Sequence, residues 1–462
     1  MMRFKKLHIV VSSVFLAAVT SAGAFDFGGL LTNDSVIKTC SDDNFRLDQK
    51  NSASLWIKTP FSEDGQNYFI AEALYNFERD FDTDSPTNAL DFDLFKLAFA
   101  KKAGAGSLGL NAGRFRYSDL SGTIFSQTAD GLELSYKSPS LQVSLYGSYT
   151  GLLNFHNVKM ISSGDYSTLA MTKNRIKINQ LKNLNLINQK TYTVLNTIAA
   201  SAAPFGEKLK LLNTSGMLDA QNIMIANKLS VTSDAFIPDT DRLYDPIEKY
   251  VVGSAAVVFP NLFAGQNLGA QFLGAFRVEK SSFNRMYATL SCDGPIKGSL
   301  YYGINSTLGF TQYDGSGTEI SNLSKLAVMY YSNFHAASLG FNAAYASCSQ
   351  NGFECFHGIS QMSATYALQD LQYSGLVKFG MSATIKPVPF ILLLGGCDCV
   401  ITSTDSDERD CFAYSGMQYI FALKWQVASD FLLGANVTQY LAKDGCDDMD
   451  KTAFTLSAAL SF

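Results

Sequence analysis

The chain has 462 residues, 47% of them hydrophobic and only 17% charged, with a formal net charge of −5. A mean hydropathy of +0.04 is far from that of a helical membrane bundle, whose spans each need about 20 consecutive apolar residues. The acidic balance excludes a nucleic-acid partner, because phosphate binding calls for basic patches.

Residues 1–24 read as a secretory signal. Arg3, Lys5 and Lys6 form a positive start, residues 9–20 an apolar core, and Ala22-Gly23-Ala24 a small-residue cleavage site. The core is too short to span a bilayer. Cleavage leaves Phe25 first and takes the formal charge from −5 to −8.

After Phe25 the dominant pattern is alternation with period two, the mark of strands with two unlike faces. The sequence predicts strands at 26–37, 51–59, 67–78, 90–100, 106–117, 130–138 and 141–150. Within them Leu132, Leu134 and Tyr136 alternate with Glu133, Ser135 and Lys137. In 106–117 the apolar parity switches at Gly113, which reads as a bulge.

The alternation then stops. Residues 151–247 are rich in Asn, Lys, Thr and Ala, with Lys173, Arg175, Lys177, Lys182 and Lys190 in one basic stretch. Short helices are expected at 207–212 and 217–228. A loop this long is usually functional or disordered, so the segment reads as either a lumen constriction or a surface domain.

Strands resume at 248–258, 266–278, 285–293, 298–310, 321–332, 336–347, 357–368, 373–385, 412–424, 430–440 and 452–462. The stretch 389–399 is also strand-like and could continue the strand before it past Pro387 and Pro389. In the last strand Phe454, Leu456, Ala458, Leu460 and Phe462 oppose Thr455, Ser457, Ala459 and Ser461. The best count is 18, within a range of about 16 to 20, and single-chain bacterial barrels require an even number. That parity places both ends in the periplasm. The acidic segments 311–320, 401–411 and 441–451 then become outer loops, and 369–372 and 426–429 short inner turns. The expected fold is an all-β, transmembrane, up-and-down antiparallel barrel of residues 25–150 and 248–462, interrupted by the insert.

Eight cysteines in an exported chain point to disulfides. Cys348 and Cys355 are spaced to tie one hairpin loop, and Cys397 or Cys399 to pair with Cys411 across another. No zinc spacing, calcium-loop pattern or cofactor motif is present in the sequence. His357 beside Ser360 and Ser363 is too weak a constellation for a hydrolase, which needs a nucleophile and a base in mutual reach. The charges expected to face the lumen are Glu72, Asn111 (polar), Arg114, Arg116, Arg277, Lys325 and Lys378, and such rings set selectivity in pores.

With a signal at 1–24, repeated alternating strands and the ending Phe454-x-Leu456-x-Ala458-x-Leu460-x-Phe462, the chain resembles Gram-negative outer-membrane β-barrel proteins, porins in particular. The resemblance implies an outer-membrane location, contact with lipid and with the barrel-assembly machinery, and a role for Phe462 as the signal that machinery reads. A homo-oligomer is compatible with it. The function expected is a channel for diffusion or selective uptake of small polar solutes, and not an enzyme. The competing reading is a surface-display barrel presenting 151–247 and disulfide-tied loops; an outer-membrane hydrolase is a distant third.

Overall fold

A computed structural model describes residues 25–39, 45–80, 85–152, 182, 187–199, 212–217, 249–278, 283–313, 318–347, 354–360, 362–368, 371–402, 413–443 and 450–462. The described strands are β1 (Asp26–Thr39), β2 (Phe45–Pro60), β3 (Tyr68–Asp80), β4 (Ser85–Ala103), β5 (Gly106–Ser118), β6 (Ser126–Lys137) and β7 (Gln142–Tyr149). One helix, α1 (Gln189–Ala199), precedes β8 (Tyr250–Phe263), β9 (Gln266–Arg277), β10 (Phe283–Lys297), β11 (Leu300–Tyr313) and β12 (Thr318–Tyr331). The remainder are β13 (Ser338–Ala346), β14 (Leu376–Val388), β15 (Ile391–Thr402), β16 (Tyr414–Gln426), β17 (Phe431–Ala442) and β18 (Lys451–Ser461).

Each strand pairs antiparallel with its neighbours in sequence, and β1 pairs with β18 from Leu30↔Ser461 to Thr39↔Thr452. The sheet is therefore a closed barrel of 18 strands. Closure leaves no sheet edge, which is the condition for crossing lipid as strands. The seam ends on Phe462, whose carbonyl accepts from the Gly29 amide at 2.9 Å and whose amide donates to the Gly29 carbonyl at 3.1 Å. A Cβ on Gly29 would stand 2.4 Å from the Phe462 ring and 2.8 Å from the Ser54 carbonyl. Only glycine lets the last residue lie so close.

Period-two alternation decides which face is which. Leu132, Leu134, Leu290, Leu308, Phe379, Met381 and Leu456 are each exposed, and all share the outward parity of their strands. The opposite parity meets across the barrel: the Tyr117 hydroxyl of β5 donates to Ser254 Oγ of β8 at 3.0 Å, although these strands are not neighbours. Side chains of non-adjacent strands can touch only inside. An apolar exterior over a polar or plugged interior is the pattern of outer-membrane barrels. Among the described residues no helix is long and apolar enough to cross a membrane.

The strand number matches expectation through two compensating differences. Residues 357–368 are not a wall strand: they lie within the barrel, as part of the connection from β13 to β14. Residues 391–402 form β15 as a strand of its own, joined to β14 by a tight turn at Pro389-Phe390. That turn takes the place of the short inner turn expected at 369–372, of which only Leu371 and Gln372 are described, within the connection from β13 to β14. Helix α1 falls where none was expected. Of the expected helices at 207–212 and 217–228, only Leu212 and Met217 are described. The signal at 1–24, most of 151–247, and Cys348 and Cys411 lie outside the described residues.

Candidate functional site

The lumen is filled on one side and open on the other. Two connections at the loop end fold inward to make the filling. The first is the β5–β6 loop, 119–125, knotted around one carboxylate. Asp119 Oδ1 accepts the amides of Ile124 (3.0 Å) and Phe125 (2.8 Å), while Oδ2 accepts the amide of Ser121 (2.8 Å). The second is 354–360, from the β13–β14 connection. It docks on the first where the Ile124 carbonyl accepts the amides of Ile359 (2.8 Å) and Ser360 (2.9 Å).

The walls they meet are apolar on their inner face. Phe115, Tyr117, Tyr146, Tyr250, Val252, Leu273, Ala275, Tyr287 and Leu323 pack with Ile124, Phe125, Phe356 and Ile359 in one buried cluster. Tyr117 and Tyr146 stack with ring centroids 3.8 Å apart, and Phe115 meets Tyr146 edge-on. Such aromatic pairs add about 0.5–1.5 kcal/mol beyond the area they bury. Polar groups pin the loops to this cushion. Lys325 Nζ donates to the Ser121 carbonyl (3.1 Å) and to Thr123 Oγ1, and the Tyr287 hydroxyl donates to the His357 carbonyl. Gln271 Oε1 accepts the Leu120 amide at 2.7 Å.

Residues 362–368 and 371–375 lie against β14–β16. Lys378 Nζ donates to the Ala364 carbonyl (3.1 Å) and to Asp398 Oδ2 (3.2 Å). Gln418 donates to the same Asp398 oxygen at 3.1 Å and accepts the Ala367 amide at 3.0 Å. The Lys378 and Asp398 side chains are only 10% and 11% exposed, so breaking the pair would strand a buried charge. Outside the strands, burial and the neighbouring Asp398 push the Tyr373 hydroxyl above its ordinary range.

The open part is a cavity of about 1480 Å³ bounded by β1–β3, β11–β18 and the inner loop. It extends from Lys38, Arg46 and Lys451 near the loop end to Lys424, two residues from the turn end of β16. Among the described residues, eight cationic side chains line it (Lys38, Arg46, Lys50, Arg79, Lys325, Lys378, Lys424 and Lys451) against four acids, Asp34, Asp48, Glu78 and Asp398. Lys38 pairs with Asp48 and Lys50 with Glu78, all with side chains about a third to a half exposed, where an ion pair is worth about 0–1 kcal/mol. An overall acidic chain thus carries a cationic excess along its open lumen.

Of the residues expected to face the lumen, Lys325 and Lys378 border the cavity, and both also clamp the inner loops. Glu72 lies in phase with the buried Asn76 and out of phase with the exposed Tyr75. Asn111 Nδ2 donates to Glu133 Oε2 at 2.8 Å. Arg277 is in phase with the buried Leu273 and Ala275. Arg114 and Arg116 differ. Gly113 takes a positive φ of 116°, yet β5 and β6 stay in register through it, so the facing does not switch. Phe115 and Tyr117 are the inward residues, and both arginines lie on the other face. There the Arg114 guanidinium grips Asp130 at 2.9 Å through Nε and Nη2 and reaches Asp91 at 3.3 Å.

The cysteine expectation is corrected at two positions. Cys397 and Cys399 are free thiols within β15, flanking the inward Asp398 and sharing the outward parity of that strand. Neither sits in a loop. The hydroxyls beside His357 are held by structure: Ser360 Oγ accepts the Ser126 amide at 3.1 Å, and Ser363 Oγ donates to the Leu368 carbonyl at 2.8 Å.

A closed barrel of 18 strands with an apolar exterior and inward-folded loops has the architecture of an outer-membrane porin. Solved structures bear this out over nearly the whole chain. OccK11 (OpdR) of Pseudomonas aeruginosa superposes with a TM-score of 0.53 at 10% identity, over 95% of this chain and 96% of that one. OccK1 (OpdK) of the same organism gives 0.53 at 10% identity, over 95% and 98%. The outer membrane protein OprD from Pseudomonas aeruginosa gives 0.51 at 11% identity, over 95% and 93%. No protein-family model and no curated protein matches the sequence. At such identities the likeness is one of fold.

Proposed function

We propose that the chain is an outer-membrane channel for diffusion or selective uptake of small polar solutes, with a preference for anions. The observation that carries this reading is the open, charged side of the lumen, where among the described residues cationic side chains outnumber acidic ones two to one. A low-dielectric wall lined by one dominant sign raises the local concentration of the opposite one. The names of the structural neighbours are compatible with a channel, OprD being an outer membrane protein.

Export by a cleaved signal at 1–24, assembly guided by Phe462, and an insert at 151–247 set apart from the barrel segments 25–150 and 248–462 belong to the same reading. So does an oxidising compartment, in which Cys355 is disulfide-bonded. A homo-oligomer fits it without being required by it. The test is conductance of the purified protein in planar bilayers across a potassium chloride gradient. Discrete steps with a reversal potential on the chloride side support the channel. A display barrel closed by its filling would give no steps.

A further inference from the structure

The outer face of β4–β7 carries a groove of about 640 Å³, lined mainly by apolar side chains. The strand register sets its floor. Phe99, Leu110, Leu134 and Leu145 stand opposite one another across the four strands, on the outward parity. The next row toward the turns places Lys101 and Tyr136 on either side of Leu108. Phe61, from the β2–β3 turn, stacks on Phe99 with ring centroids 6.5 Å apart, and Asn67 Oδ1 of the same turn accepts the Ala100 amide at 2.7 Å. That turn therefore holds the β4 wall of the groove in place. A Cβ on Gly106 would stand 2.9 Å from Tyr136 Cζ, so the Tyr136 ring leans toward the β4–β5 turn.

A lysine on the lipid-facing parity is unfavourable in hydrocarbon and becomes favourable where its head reaches the headgroup layer. Lys101 lies two residues before the end of β4, at the level where tyrosines and lysines anchor a membrane boundary. Among the described residues it has no ion-pair partner. The adjoining β2–β3 turn carries Glu63 and Asp64, and Asp64 accepts the Ser62 hydroxyl (2.5 Å) and the Gln66 amide (3.1 Å). Lys102 and Lys137 pair on either side of Ser107 at the same rim and add two cations there. We propose that the groove seats one anionic phospholipid of the turn-side leaflet. An acyl chain lies along the Leu110–Leu134 floor, and the phosphate accepts hydrogen bonds from Lys101 Nζ and the Tyr136 hydroxyl. Basic pockets at the membrane boundary take headgroups in this way. Concavity, with a cation and a phenol in one row, sets this patch apart from a lipid-facing wall that is merely apolar. The site rests on the barrel's place in the membrane, and it would stand even if the lumen conducted nothing.

The experiment is native mass spectrometry of the full-length protein in detergent, with phosphatidylglycerol or phosphatidylcholine added. The wild type is expected to retain one phosphatidylglycerol in preference to phosphatidylcholine. Lys101→Gln should cut that retention by roughly fivefold, the effect of one lysine at a charged surface, and leave phosphatidylcholine unchanged. Lys297→Gln, at the end of β10, should change neither. Excess inorganic phosphate should leave the lipid bound; displacement by it would give the cation to free phosphate and overturn the lipid. A second readout needs no variant: crystals grown with phosphatidylglycerol brominated in its acyl chain should show anomalous peaks along Phe99, Leu110 and Leu134. Equal retention of the two lipids by the wild type, full retention by Lys101→Gln, or bromine found only elsewhere on the barrel overturns the proposal.

Discussion

Asp119 shows how much structure one side chain can impose. Its carboxylate accepts three backbone amides in a loop where Ile124 and Phe125 are fully buried. Hydrogen bonds to a charged group are worth about 1.5–3 kcal/mol each, and a stranded buried donor costs about 1–3 kcal/mol. Asp119→Ala should therefore destabilise the inner loop by several kcal/mol, roughly 3–5 after relaxation. Asp119→Asn keeps an acceptor where Oδ1 stands and should cost less. The released loop no longer fills the lumen, so the alanine variant should show a larger, noisier single-channel conductance than wild type. Conductance indistinguishable from wild type would mean that 119–125 stays in place without its carboxylate. Lys325→Met, which removes the donor to Ser121 and Thr123, should move conductance in the same direction by less.

Among the strands, legibility follows from how unlike the two faces are. The segment at β18 was plain because Phe454, Leu456 and Leu460 alternate with the small residues Thr455, Ser457, Ala459 and Ser461. β15 was obscure because its inward positions include Leu392, Leu394 and Gly396, so that only Asp398 marks the inner face by charge. Residues 357–368 resemble a wall strand in sequence because Ile359, Ala364 and Leu368 are apolar residues that the loop buries. The arginines of β5 misled because, inside the filled half, inward means aromatic. The clue was present in β8, where Val251 and Val252 are both apolar although one faces out and the other in. A strand apolar on both faces in a barrel announces filling.

The placement of β15 makes a direct prediction. Cys397 and Cys399 sit on the lipid-facing parity of a wall strand and are free. Reconstituted in liposomes, they should react with an uncharged, lipid-soluble maleimide and resist a charged methanethiosulfonate added to the water phase, because a charged reagent does not enter the hydrocarbon. Rapid labelling by the charged reagent would place these thiols in the lumen and shift β15 by one residue, since a slip of one exchanges the two faces. The seam makes another. Gly29→Val would push against Phe462 and the Ser54 carbonyl, and should lower the temperature at which the folded band is lost on an unheated SDS gel, by more than Gly395→Val, whose added Cβ meets nothing within 4 Å.

Seen as one object, the molecule divides its own interior. β5–β10 and the inner loops build a packed core of the kind a soluble domain has, β14–β18 and β1–β3 keep a wet, charged wall, and β11–β13 border both. The cations on that wall were largely hidden from sequence reading, because β2 begins at Phe45 and so takes in Arg46, Asp48 and Lys50, residues placed in a loop when the strand is started at 51. The division predicts where ions pass. Lys424 is solvent-exposed at the turn end of the open cavity. Reversing its charge changes the local total by two units. At a distance of about 10 Å and the dielectric of water, each unit is worth about 0.4 kcal/mol. Lys424→Glu should thus lower the chloride-to-potassium permeability ratio by up to roughly tenfold in dilute salt, because the two ions shift in opposite directions, and by little at 1 M, where the screening length falls to about 3 Å. Lys101→Glu, on the outer face beside Phe99, Leu108 and Leu134, changes the net charge of the molecule equally and should leave the ratio alone. An unchanged ratio for Lys424→Glu in dilute salt would move the conducting path away from the β14–β3 wall.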